Sequence, residues 1–212
     1  MALPATEASG WDAALIVVGM IGVAIGAFHW SASPWFVEWK LAAAALVVDH
    51  GPAWLLSDHA PWWLLTHYPD ANDVFTWLDG LLIAGYILAT ALVVSSLVWG
   101  ALLVAAGACG KARVAQAVRL AYALIPLAGL GVFLGLSSLT VTLAKAEGWP
   151  LGAVPAIRVA VLGAGAAWSL SLAWRQLADV ADRASRLRAF AACAIAVAVV
   201  VAAWALLFFG WS

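Results

Sequence analysis

Five stretches of this chain are long, apolar and nearly free of charge, and each approaches or exceeds the roughly 20 residues that an α-helix needs to cross a bilayer. They fall at residues 13–28, 78–106, 118–143, 156–174 and 189–211. Hydrocarbon offers no partner for backbone N–H and C=O groups, so stretches of this kind close their hydrogen bonds internally, as helices. Composition agrees: 66% of residues are hydrophobic and 10% charged, against about 25% charged in an ordinary soluble domain. The chain therefore reads as all-α, a polytopic membrane helix bundle forming a single integral membrane domain over residues 1–212. Its charges are too few and too segregated to make a basic binding face, which excludes a nucleic-acid partner and leaves the lipid bilayer as the expected surroundings.

Small residues and aromatics refine the spans. Trp11 and Trp30 bracket the first, at the two headgroup levels. Its Gly19, Gly22 and Gly26 provide a face for close helix contact, and Gly131 and Gly135 are spaced as G-x-x-x-G in the third. Pro126 is expected to bend that third span. No Lys or Arg precedes the first apolar run, so the run reads as a retained span and not as a cleaved signal.

Orientation follows from the basic residues. Lys111, Arg113, Arg119, Arg175, Arg183, Arg186 and Arg188, seven of the ten, flank two loops, and loops rich in Lys and Arg stay in the cytoplasm. Counting spans outward puts the 145–155 loop, the C-terminus and residues 29–80 on the periplasmic side of a bacterial inner membrane. Residues 35–49 are the ambiguous piece. Their apolar part, 41–48, is short and flanked by Glu38, Lys40 and Asp49, so an interfacial or re-entrant helix is expected, giving five spans. If it crosses, the count is six.

Chemistry concentrates in residues 29–80. All four histidines (His29, His50, His59, His67) lie there, with Glu38, Asp49, Asp58, Asp70, Asp73 and Asp79 and seven of the fourteen tryptophans. Asp49-His50 and Asp58-His59 repeat an Asp-His pair, and His67 is followed by Asp70 and Asp73. Imidazole binds metals when neutral and carboxylates add oxygen donors or orient the imidazoles. Such a mixed set suits iron, zinc, manganese or copper(II) better than copper(I). The candidate ligands are His50, His59 and His67, oriented by Asp49 and Asp58, with Glu38, Asp70 and Asp73 as oxygen donors. The same residues would also serve as solvated, helix-capping polar groups at headgroup level.

Haem is a weaker expectation. His29 could approach His59 or His67, but no histidine follows residue 67, so a haem would have to lie near the outer surface. Trp62 and Trp63, with Trp54 and Trp77, anchor this region or wall a haem or quinone pocket. Asp73 could cap a helix starting at Val74, and Asp79-Gly80 reads as a turn. Cys109 and Cys193 form no C-x-x-C pair, which excludes an iron–sulfur cluster held by this chain alone. Ser137, Ser138, Thr140, Thr142, Lys145 and Arg158 collect at the outer end of their helices, completing a site or simply bonding backbone and snorkelling.

The residues FHWSASPWFVEWKLAAAALVVDHG and APWWLLTHYPDANDVFTWLDG, and more weakly RLAYALIPLAGLGVFLGLSSLTVTLAKAEG, carry a resemblance. They resemble the C-terminal membrane portion of bacterial NosR/NapH-like 4Fe-4S polyferredoxins, including those that accompany ferrous-iron uptake systems. The positions that match are His29, Glu38, Asp49, His50, His67, Asp70, Asp73 and Asp79. The cluster-binding cysteine runs of those proteins are missing here, so the resemblance implies a membrane module whose cluster chemistry belongs to a ferredoxin-type or periplasmic redox or metal-binding partner. The expected function is a membrane subunit of a redox or metal-uptake system that binds iron or copper at the outward His/Asp site. The alternatives are a metal permease without redox role and a structural anchor for a partner's quinone, haem or other cofactor site.

Overall fold

The computed structural model describes residues 10–30, 33–57, 76–110 and 113–210. Among these every regular element is helical: α1 (Gly10–His29), α2 (Pro34–His50), a 3₁₀ turn (Ala53–Leu56), α3 (Trp77–Ala108), α4 (Arg113–Ala121), a 3₁₀ turn (Tyr122–Leu124), α5 (Ile125–Ala146), α6 (Val154–Gln176) and α7 (Arg183–Phe209). Helix α3, the run 114–146, α6 and α7 are each long and apolar enough to cross a membrane, and α1 with α2 makes a fifth unit, bent by 74° between its halves. This is the expected all-α membrane bundle, but α1 does not stand as a span by itself: α1 and α2 form one bent pair, a broken span or a re-entrant loop.

Local chemistry explains where the helices start and stop. Pro34, Pro126 and Pro155 each sit in a first turn, where a missing N–H costs nothing. Near Pro126, where a bend is expected, a 3₁₀ turn at Tyr122–Leu124 interrupts the α-helical run. Ser169 repairs the weakness there: its Oγ accepts from the Leu127 N–H at 3.3 Å, and its side chain is fully buried. Gly110 (φ 66°) and Gly148 (φ 77°) lie just beyond α3 and α5 in the left-handed region that glycine adopts without a Cβ penalty. Helix α7 begins at Asp182, whose carboxylate accepts from the N–H groups of Ala184 and Ser185.

Helix α3 is the spine. It packs along α1 on one side and α7 on the other, while α5 packs on α6 and α6 on α7. In a bilayer, lipid tails are as apolar as leucine, so the drive to associate is close packing and interhelical hydrogen bonding. Gly22 and Gly26 allow it for the antiparallel α1–α3 pair. A Cβ on Gly22 would stand 2.7 Å from Ala91 O, and one on Gly26 would stand 3.0 Å from Ile87 Cα. Ser95 Oγ donates to Val18 O at 3.1 Å across the same contact. Gly19, expected on this face, meets nothing within 4 Å. Gly131 and Gly135 receive rings instead of a helix backbone, Trp204 against the first and Phe28 against the second. Trp204 is fully buried and stacks on Phe208 at 5.8 Å.

The bundle has two distinct ends. At one, α1 ends, α3 begins, and Arg158 near the start of α6 reaches Ser138 Oγ (3.1 Å) on α5 and the Phe208 ring (4.8 Å) on α7. At the other, Arg119 pairs with Asp179 at 3.0 Å, and Arg186 lies over Trp174.

Candidate functional site

The last turn of α1 presents His29, which is buried to 7% exposure. Its Nδ1 lies 3.0 Å from the Tyr86 hydroxyl on α3, with the two rings nearly parallel. Phe36 of α2 closes over this pair, edge-on to Tyr86 (5.4 Å) and to Trp30 (5.7 Å), and is the buried side chain of its helix. Beside them the N-terminus of α3 is tied by a capping box. Thr76 Oγ1 accepts from the Asp79 N–H, and Asp79 Oδ2 accepts from both the N–H and the hydroxyl of Thr76. The other carboxylate oxygen, Oδ1, takes Lys40 Nζ of α2 at 2.8 Å. Asp79 itself is 6% exposed, so its charge is compensated by one ammonium and two short hydrogen bonds, as a buried carboxylate requires.

The register of α3 explains the arrangement. Asp79 and Tyr86 are seven residues apart, two turns along one face. That face receives α2 through Lys40 and α1 through His29. Most of the rest of α2 faces outward: Trp35, Val37, Trp39, Leu41, Leu46 and Val48 are all exposed. Phe36, buried against Tyr86 and Trp30, and Lys40, paired with Asp79, fasten α2 to its neighbours. Between α1, α2, α3 and α7 lies a groove of about 420 Å³, with His29, Trp35, Trp39, Tyr86, Thr90 and Leu206 on its walls.

Of the expected ligands, the described residues include His29, Glu38, Asp49 and His50. Glu38, Asp49 and His50 are exposed on α2. Among the described residues no three His, Cys, Asp or Glu side chains gather closely enough to hold a metal ion. Asp58, His59, Trp62, Trp63, His67, Asp70 and Asp73 lie outside the described residues. The described residues on either side of 58–75 lie close together, where Trp54 and Trp77 meet edge-to-face at 6.1 Å.

Two expectations need correction. Asp79-Gly80 is no turn; Asp79 closes the capping box of a helix whose N-cap is Thr76 and whose first residue is Trp77, not Val74. Of the two roles open to the hydroxyls near the end of α5, bonding backbone is the one seen: Ser137 and Ser138 donate to Leu134 O, and Thr142 to Ser138 O. Tyr86, Lys40 as the partner of Asp79, and the groove-lining Trp35 and Trp39 were missed. A T-x-x-D capping signature at Thr76 and the Asp79–Tyr86 spacing were the available signals. Comparison of the chain with protein-family models, with curated proteins and with solved structures finds no match.

Proposed function

We propose that this chain is the membrane subunit of a redox or metal-uptake system of a bacterial inner membrane. It supports electron transfer and holds a transition metal ion, iron or copper, at a His/Asp set on the periplasmic side. The supporting observation is the gathering of polar chemistry at one end of the bundle. There the buried His29–Tyr86 pair and the Lys40–Asp79 pair flank the points where the chain leaves and re-enters the 58–75 segment, which carries Asp58, His59, His67, Asp70 and Asp73. An imidazole whose one nitrogen is engaged by a hydroxyl keeps a defined ring orientation, as ligand histidines do. The excess of Arg at the opposite end supports an outward facing of this one. With Cys109 and Cys193 set far apart in sequence, iron–sulfur chemistry would come from a ferredoxin-type or periplasmic partner, as the resemblance to NosR/NapH-like membrane modules implies.

Elemental analysis of the purified chain tests this reading. Iron or copper should copurify and fall in His67→Ala while expression persists; unchanged metal and unchanged electron transfer in all four single His→Ala variants reject it. A permease without redox role would instead carry metal into proteoliposomes lacking an electron donor. The engagement of Ser95 and Ser169 in helix contacts leaves less polar surface for such a path.

The groove favours a second reading, in which the chain forms a quinone site. Its aromatic walls suit a flat, lipid-soluble ring, and the His29–Tyr86 pair offers hydrogen bonding at one edge. Quinone copurifying with the wild type and lost in Tyr86→Phe would support this reading, and absence of quinone from the wild type would remove it.

A further inference from the structure

We infer that the end of the bundle opposite the histidines binds the phosphate of an anionic diacyl phospholipid, with Arg186 as its primary contact. The Arg186 guanidinium carbon lies over the Trp174 ring, 4.0 Å from its centroid, and one terminal nitrogen donates to Trp174 O at 3.3 Å. Its Nε is buried and has no hydrogen-bond partner among the described residues, and the same is true of the nearby Gln176 Oε1. A guanidinium carries five N–H donors; with one given to Trp174 O and the group held against an aromatic ring, its remaining terminal N–H groups suit an anion with several acceptor oxygens, and phosphate is the anion that headgroup depth supplies.

The surroundings reinforce this. Arg175, Arg183 and Arg188 lie on the same α6–α7 connection and, like Arg186, have no carboxylate partner among the described residues. The two acids there are otherwise engaged: Asp179 pairs with Arg119, and Asp182 caps α7. Arg183 and Arg186 are three apart in the first turn of α7, hence neighbours on one face, and the positive end of the helix dipole adds to their field. Apolar surface for acyl chains adjoins the charge. Trp174 and Leu187 are 39% and 48% exposed, and Phe190 braces Trp174 edge-on at 5.1 Å. The local charge excess calls for an anionic headgroup, and the exposed aromatic and leucine call for a lipid in preference to free phosphate.

The test is native mass spectrometry of the full chain released from detergent after incubation with equal amounts of dioleoylphosphatidylglycerol and dioleoylphosphatidylcholine. The phosphatidylglycerol adduct should dominate and should drop about five-fold for each of Arg183→Gln and Arg186→Gln, since a basic residue at the membrane surface is worth about 1 kcal/mol toward anionic lipid. Lys145→Gln, at the other end, should leave it unchanged. Arg183 is exposed and has no side-chain partner among the described residues, so its loss reads on binding and not on folding. Equal retention of the two lipids, adducts indifferent to both arginine variants, or displacement of the lipid by inorganic phosphate would each overturn the inference.

Discussion

Asp79 combines two roles that are usually separate. It closes the capping box of α3 through Thr76, and it fastens α2 to the bundle through Lys40. Helix capping residues contribute about 1 kcal/mol, and a charge pair adds more as its members leave water, but half-exposed Lys40 (45%) is still well solvated. Asp79→Ala should therefore lower stability by about 2 kcal/mol, read from unfolding in detergent. Lys40→Ala should cost less than half as much, because Asp79 keeps its Thr76 bonds. The variants also differ locally: Lys40→Ala should raise protease sensitivity between α2 and α3 while leaving the start of α3 intact. Equal loss of stability in the two variants would show that the cap contributes nothing.

Among the elements, the α1–α3 contact and the start of α7 respond to sharply defined changes. Gly22→Ala drives a Cβ into the Ala91 backbone, which cannot yield as a flexible side chain can, so about 1–3 kcal/mol should be lost. Gly19→Ala, three residues earlier on the same helix, meets open space and should be neutral or stabilising by up to about 1 kcal/mol. Thermal unfolding of the two variants side by side measures the contrast; similar behaviour would mean that the close approach of α1 to α3 is not limiting. At α7, the Asp182 carboxyl is held below the ordinary carboxylate range by the Ser185 hydroxyl and then by the backbone N–H groups of Ser185 and Ala184. A depressed folded-state pKa means that the cap's contribution is present above the unfolded carboxylate pKa and is lost as pH falls through the folded one. The protection of the Ala184 and Ser185 amides against exchange, relative to the unfolded rate at each pH, should fall over that acid range. Asp182→Asn, which still caps, should remove the pH dependence.

For the whole molecule, the division into two ends is the main result. One end carries His29, Tyr86, Lys40 and Asp79, with Arg158 bridging α5, α6 and α7. The other carries Arg119–Asp179 and the arginines of the α6–α7 connection. Single cysteines placed at Ser57 and Glu147, with Cys109 and Cys193 replaced by serine, should react with a membrane-impermeant thiol reagent in intact cells. A cysteine at Asp179 should react only after permeabilisation. The opposite pattern would reverse the facing of the proposed site, and labelling of Glu147 and Asp179 from the same side would contradict the bundle itself.

The sequence alone determined the class of this protein, because the cost of placing an unbonded backbone in hydrocarbon leaves no alternative to helices for runs of this length and apolarity. It also showed where the polar residues concentrate, since so few are polar, though it singled out neither Tyr86 nor Lys40 as a partner. That residues 35–49 do not simply make a further straight span was legible in Glu38, Lys40 and Asp49, and the chain bends by 74° between α1 and α2. Partners were not legible. A hydropathy run records that a glycine suits a helix contact, but not that Gly22 meets Ala91 while Gly19 meets nothing, because helix rotation is chosen by packing across the whole interface. Likewise, His29 could be singled out as rare, yet its approach to Tyr86, 57 positions away, depends on α1 and α3 running antiparallel at close range. Asp79's place in the Thr76 capping box was locally legible, but not its pairing with Lys40, because local propensity cannot see the ammonium that a neighbouring helix brings to it. Those pairings belong to the tertiary structure, where the need to compensate each buried charge selects among arrangements that the sequence leaves equally open.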